Sequence, residues 1–153
     1  RIARTQDDGS GARLMTYGVG DASFQAAGGE AGLRKLVDLF YDLMDSREVA
    51  RVIRAMHPAD LSTSRDKLAT FLCGWLGGPR LYQAKYGGIS IPGVHAHLAV
   101  DAAARDAWLA IMAEAVAAQD WDEAFKIYLM RQLAVPAERV RVVCEQLQTE
   151  SKP

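Results

Sequence analysis

Apolar residues recur along this chain at intervals of three and four, the spacing that lines one face of an α-helix. After the glycine pair Gly28 and Gly29, the run EAGLRKLVDLFYDLMDS puts Leu33, Leu36, Val37, Phe40, Tyr41 and Met44 on one side, which predicts a long amphipathic helix. A second helical run, EVARVIRAM, ends at His57, because Pro58 pushes the residue before it out of the helical region. Asp60 and Ser62 are both suited to cap the third run. Its stripe of Leu61, Leu68, Phe71, Leu72, Trp75 and Leu76 stops at Gly77, Gly78 and Pro79.

From 78 to 100 the periodicity weakens to one short helical stretch around Tyr82 and a loop containing Gly87, Gly88 and Pro92, which delivers His95 and His97. Asp101 is placed to cap the next helix, where Trp108, Met112, Ala115 and Val116 face one way. A further helix is expected over 121–133. Pro136, whose missing N–H costs nothing in a first turn, predicts the start of a separate terminal helix reaching about Leu147. No strand pair with hairpin chemistry occurs, so the pattern predicts an all-α fold of roughly six or seven helices.

The opening segment mixes Gly, Asp and Ser without period and reads as a flexible extension over 1–20, ahead of a folded domain over 21–148 and a frayed tail over 149–153. A length of 153 residues suits one domain with room for a core and one enclosed cofactor. Eighteen Lys plus Arg against nineteen Asp plus Glu leave a net charge of −1 with no basic block, so no nucleic-acid partner is expected. No apolar stretch approaches the roughly 20 residues a membrane span needs, and the N-terminus has no apolar leader core, which predicts no membrane partner and a cytoplasmic location. Cys73 and Cys144 lie far apart within apolar patterns and read as small buried residues rather than as a disulfide.

Candidate chemistry is sparse. There is no GxSxG, phosphate-binding loop or HExxH, and the Gly doublets lack the strand and helix context that would cradle a phosphate. His95 and His97 form an HxH pair, but no cysteine or carboxylate stands at zinc-site spacing from it. His95 can project into a cavity between helices or can serve as an ordinary structural histidine. Phe40, Phe71 and Trp75 fit a plain packed core equally well. Tyr41 and Trp108 each carry one donor on an apolar body, and burying such a donor without an acceptor costs roughly 1 to 3 kcal/mol.

Five segments then occur in order: LFYDLM at 39–44, HPADLS at 57–62, FLCGWLGGP at 71–79, LYQAKYG at 81–87 and RDAWLAIM at 105–112, with His95 ten residues before Arg105. In composition and spacing this set resembles the group II truncated hemoglobins, over residues 21–143. The resemblance implies a shortened globin in which two helix pairs, in a 2-on-2 arrangement, sandwich heme b. His95 would be the proximal iron ligand, its other ring nitrogen donating to a carbonyl or water. Phe40, Leu68, Phe71 and Leu72 would form the apolar cage. Tyr41 and Trp108 would donate to a small ligand such as O2, CO or NO, with His57 at the distal corner and Ser64 at the gate. Lys67 would pair with a heme propionate.

Between 89 and 94 the sequence ISIPGV departs from that family, in which arginines are frequent. Tyr82 and Tyr86 would then supply hydrogen bonds to the propionates or simply pack at the loop edge. His97 is expected to be a bystander. The resemblance further implies a monomer or homodimer and admits an electron-donating reductase, with redox chemistry on NO or peroxide secondary to ligand binding. The loop departure leaves one alternative of another class, a heme-free globin-like interaction or sensor domain.

Overall fold

A computed structural model describes residues 17–88, 95 and 98–150; the 89–94 loop, His97 and residues 1–16 of the expected 1–20 extension lie outside the described residues. The described elements are α1 (Ala22–Ala26), α2 (Gly29–Ser46), a 3₁₀ turn (Glu48–Ala50), α3 (Arg51–Ala55), α4 (Ser62–Trp75), α5 (Leu81–Tyr86), α6 (Ala102–Ala117) and α7 (Glu123–Glu150). No strand occurs among the described residues, as the period of the apolar positions predicts. Helix α2 packs on α4 and α6, α7 packs on α6, and α5 packs on α4, so two helix pairs meet through α2 and α6.

Local chemistry sets most of the boundaries. Asp101 caps α6, its carboxylate accepting from the Ala104 N–H at 2.8 Å. At the start of α4 the Asp60 carboxylate accepts from both the N–H and the hydroxyl of Ser62, while Leu61 holds the cap position itself. α4 ends in paired bonds from Gly77 N–H to the Gly74 carbonyl and from Gly78 N–H to the Cys73 carbonyl, the closure that places a left-handed residue just past a helix. Gly77 has φ +93°, and a Cβ there would sit 1.9 Å from the Gly20 carbonyl oxygen, so conformation and space both require glycine.

The stripe predicted on α2 forms the middle of the core: Leu33, Leu36 and Phe40 are fully buried and Val37 and Met44 almost so. Ile111, Met112 and Val116 of α6 and Phe125, Leu129 and Leu133 of α7 complete it. Both cysteines are buried and free, as their apolar settings predict. Tyr17 is also buried, edge-on to Phe125 at 5.3 Å, and the Gly18 N–H donates to the Ser23 hydroxyl, so residues 17–20 lie against the folded body.

The expected break before Pro136 does not occur. α7 is one helix of 28 residues with Pro136 inside it, running past the predicted end near Leu147 to Glu150. A proline there removes one backbone bond and crowds the carbonyl four residues earlier. That carbonyl belongs to exposed Gln132, where water can take it. On either side of the proline, Leu133, Val140 and Cys144 are buried, and Arg141 bonds Glu138 and Glu145 along the helix. Tertiary packing thus overrides the local signal.

Candidate functional site

The faces of α2, α4 and α6 converge on Tyr41. Position 41 follows Phe40 on α2, and the two rings meet edge-on at 5.0 Å. Trp108, brought in by α6, lies edge-on to Phe40 at 5.2 Å. His57, after the end of α3, presents its ring edge-on to Tyr41 at 5.7 Å. The adjacent pair Phe40 and Tyr41 and the sequence-distant His57 and Trp108 therefore form one contiguous aromatic group.

Tyr41 is only 5% exposed, yet neither its hydroxyl nor the Trp108 indole N–H donates to another described residue. Every fully enclosed side-chain polar atom among the described residues does have a partner, so the Tyr41 hydroxyl reaches accessible space rather than sitting stranded in the core. Burial pushes this hydroxyl up to about 12, against a smaller downward pull from Arg65, so it stays protonated at neutral pH and acts as a donor. Two donors of this kind suit an acceptor that no described residue supplies.

The His57 ring nitrogen Nδ1 lies 2.8 Å from the Ile53 carbonyl oxygen, to which it can only donate, leaving Nε2 as the acceptor in the neutral ring. Burial lowers the His57 pKa; the Ile53 bond opposes this, and the charges of Arg54 and His95 add to the lowering. His57 also borders an open surface cleft of about 670 Å³ shared with Met44, Arg47 and Arg54.

His95 is half-buried. Its backbone carbonyl accepts from the Leu98 N–H at 2.9 Å and from the Cys144 thiol at 3.1 Å, which ties this segment to α7. On α4, Leu68, Phe71 and Trp75 are half-buried, whereas Leu72 is 1% exposed and belongs to the core proper. Phe71 stacks on Trp75 at 6.1 Å and meets Tyr82 edge-on at 6.5 Å, extending an incompletely covered apolar wall. An apolar wall, two donors without an acceptor among the described residues and a histidine held by its backbone match the chemistry of a flat, largely apolar group with a metal at its centre. The residues present fit heme.

The residues expected at the propionate edge have other partners. Tyr86 donates its hydroxyl to Asp66 at 2.5 Å, and the same carboxylate takes Lys85 at 2.8 Å and Arg34 at 3.1 Å. Lys67 is exposed, with its ammonium 5.3 Å from the Tyr86 ring centre, and Tyr82 packs 5.0 Å from Tyr86. Ser64 is half-buried one turn before Leu68. Its neighbour Arg65, which the sequence does not single out, reaches across to α2 and stands 5.8 Å from the Tyr41 ring centre. Cys144 likewise gives no sequence signal of its contact with His95, because the two are 49 positions apart.

Residues 22–139 match the family of bacterial-like globins. The chain is 32% identical over 96 residues to a group 2 truncated hemoglobin from Bacillus subtilis, an alignment spanning 63% of this chain and 70% of that protein. It is similar in structure to the group II 2-on-2 hemoglobin of Agrobacterium tumefaciens, with a TM-score of 0.75 and 33% identity over 78% of this chain and 92% of that one. A truncated oxygen-avid haemoglobin from Bacillus subtilis superposes with a TM-score of 0.71 and 28% identity over 77% of this chain and 97% of that one.

Proposed function

This chain belongs to the bacterial-like globin family, as a group II truncated hemoglobin that binds heme and small ligands, and from that premise we propose that His95 is its iron ligand and that Tyr41 and Trp108 hold a diatomic ligand by hydrogen bonds. The group is heme b in this reading, and O2 is the ligand favoured, with CO and NO as others the same pocket admits. Heme supplies an iron atom with one position open to a diatomic molecule.

What the chain supplies is position and polarity. The single observation that carries the reading is the Tyr41 hydroxyl: it sits on a residue 5% exposed whose ring packs against Phe40 and His57, it stays protonated, and it donates to no described residue. A hydrogen bond from such a donor to a partly charged acceptor is worth roughly 1.5 to 3 kcal/mol, which slows escape about ten- to a hundredfold when the bond is lost on leaving. Trp108 adds a second donor, and Phe40 excludes water beside both. The oxygen avidity attributed to the Bacillus subtilis structure supports the same direction here. Turnover of NO or peroxide with an external electron donor is a secondary capacity of a pocket with this polarity.

Absorption spectra of the protein supplied with hemin, taken ferric, reduced and with carbon monoxide, test the reading. A Soret band that moves on reduction and on ligation in the parent, and is lost or altered in His95→Ala, is the expected result. A parent that remains colourless after reconstitution overturns it in favour of a heme-free interaction domain.

A further inference from the structure

Arg65 projects from α4 across the crossing with α2, and its guanidinium makes four contacts there. One nitrogen donates to the Asp38 carbonyl oxygen at 3.0 Å and to the Asp38 carboxylate at 3.2 Å, and the other donates to the Asp42 carboxylate at 2.8 Å. The fourth contact is the Tyr41 ring, whose centre lies 5.8 Å from the guanidinium carbon. Asp38 and Asp42 are four apart on α2 and bracket Tyr41 in sequence, so the planar fork is held on both sides of the residue it covers.

An ion pair on open surface contributes little, because solvent screens it and ordering two long side chains costs entropy. The two carboxylates are of that kind, at 63% and 65% exposure, but Arg65 is not, at 27%. Its bond to a backbone carbonyl and its seat over an aromatic face are contacts that charge neutralisation alone does not require. They fix the guanidinium relative to the α2 backbone and to one ring. The positive charge also favours the ionised form of the Tyr41 hydroxyl, which makes the neutral hydroxyl a stronger donor.

We infer that Arg65 is a positioning residue for the distal pocket: clamped to Asp38 and Asp42, it pins the Tyr41 ring from the outside. The inference rests on the reading of Tyr41 as the donor to a diatomic ligand. It assigns to an arginine outside the pocket part of the control over how long that ligand stays.

A two-residue cycle decides it, using Arg65→Met, Tyr41→Phe and the double variant in the heme-loaded protein, with Arg65→Lys as the conservative replacement. Oxygen release is timed after rapid mixing, and the C–O stretching band of the carbon monoxide complex reports the field and the number of orientations of the donor. Near-ultraviolet circular dichroism of the apoprotein follows the packing of Tyr41 without heme. Arg65→Met is expected to release oxygen about threefold faster, the scale of one cation–ring contact. It should also broaden or split the C–O band and weaken the apoprotein aromatic signal, while Arg65→Lys restores part of each. In the Tyr41→Phe background the arginine substitution should change nothing further. If Arg65→Met matches the parent, or if its effect persists in full without the Tyr41 hydroxyl, the inference is overturned while the ligand reading stands. A parent that takes up no hemin overturns both. Should Arg65→Met not fold, Asp42→Asn, which keeps the arginine but removes its shortest anchor, must shift the band in the same direction.

Discussion

At the scale of single residues, the pocket is organised by donors that find no acceptor among the described residues. Tyr41→Phe removes one hydroxyl and leaves the ring contacts with Phe40 and His57 in place, so the expected outcome in stopped-flow is oxygen release faster by about ten- to a hundredfold at nearly unchanged fold stability. His57 makes a different prediction. Burial, aided by the charges of Arg54 and His95, holds its folded pKa below the ordinary 6.5, so the unfolded chain binds more protons wherever the two states differ. The stability it permits is therefore complete above pH 6.5 and declines as pH falls through that value toward the folded pKa. Thermal midpoints of apoprotein measured across this window should fall less steeply in His57→Gln than in the parent. Candidate donors were legible in the sequence, because Tyr41 and Trp108 stand on apolar faces that period alone reveals. Arg65 was not, because nothing local says that position 65 meets positions 38 and 42.

At the scale of elements, boundaries written in adjacent residues are reliable and those that depend on distant packing are not. The Asp101 cap and the closure at Gly77 and Gly78 are short-range hydrogen bonds, and both stand where the sequence puts them. Asp101→Ala should lower stability by about 1 kcal/mol in denaturant unfolding, the usual cost of losing such a cap. Pro136 follows the opposite logic. Its rule is local and sound, yet Leu133, Val140 and Cys144 are buried on both sides of it, and the helix continues. Pro136→Ala supplies the missing N–H to a helix already formed and should raise stability by about 1 to 3 kcal/mol, read as a higher urea midpoint with an unchanged slope.

At the scale of the whole molecule, a few charged residues fasten the elements around the pocket. Asp66 of α4 binds Arg34 of α2 and both Lys85 and Tyr86 of α5, and the hydrogen bonds from Lys85, Tyr86 and Arg34 hold its carboxyl at about 2. Its contribution is present above the ordinary value of 3.8 and is lost as pH falls from there toward 2, so Asp66→Asn should destabilise the protein at pH 6 and matter far less near pH 2. The fold as a whole was legible because the long helices α2, α4 and α6 each carry apolar residues at helical spacing. The tie between His95 and Cys144 was invisible, since it spans 49 positions and joins residues that are each unremarkable alone. That tie bears on the order of assembly. Residue 144 lies beyond the 22–139 stretch that matches the family, and it reaches the His95 carbonyl only when the far end of α7 is already docked. As the chain leaves the ribosome, the histidine emerges long before the thiol that anchors it, and closing so wide a loop is among the slower steps of folding. With His95 as the proposed iron ligand, capture of the cofactor in its final geometry would be coupled to the last part of the helix to be synthesised.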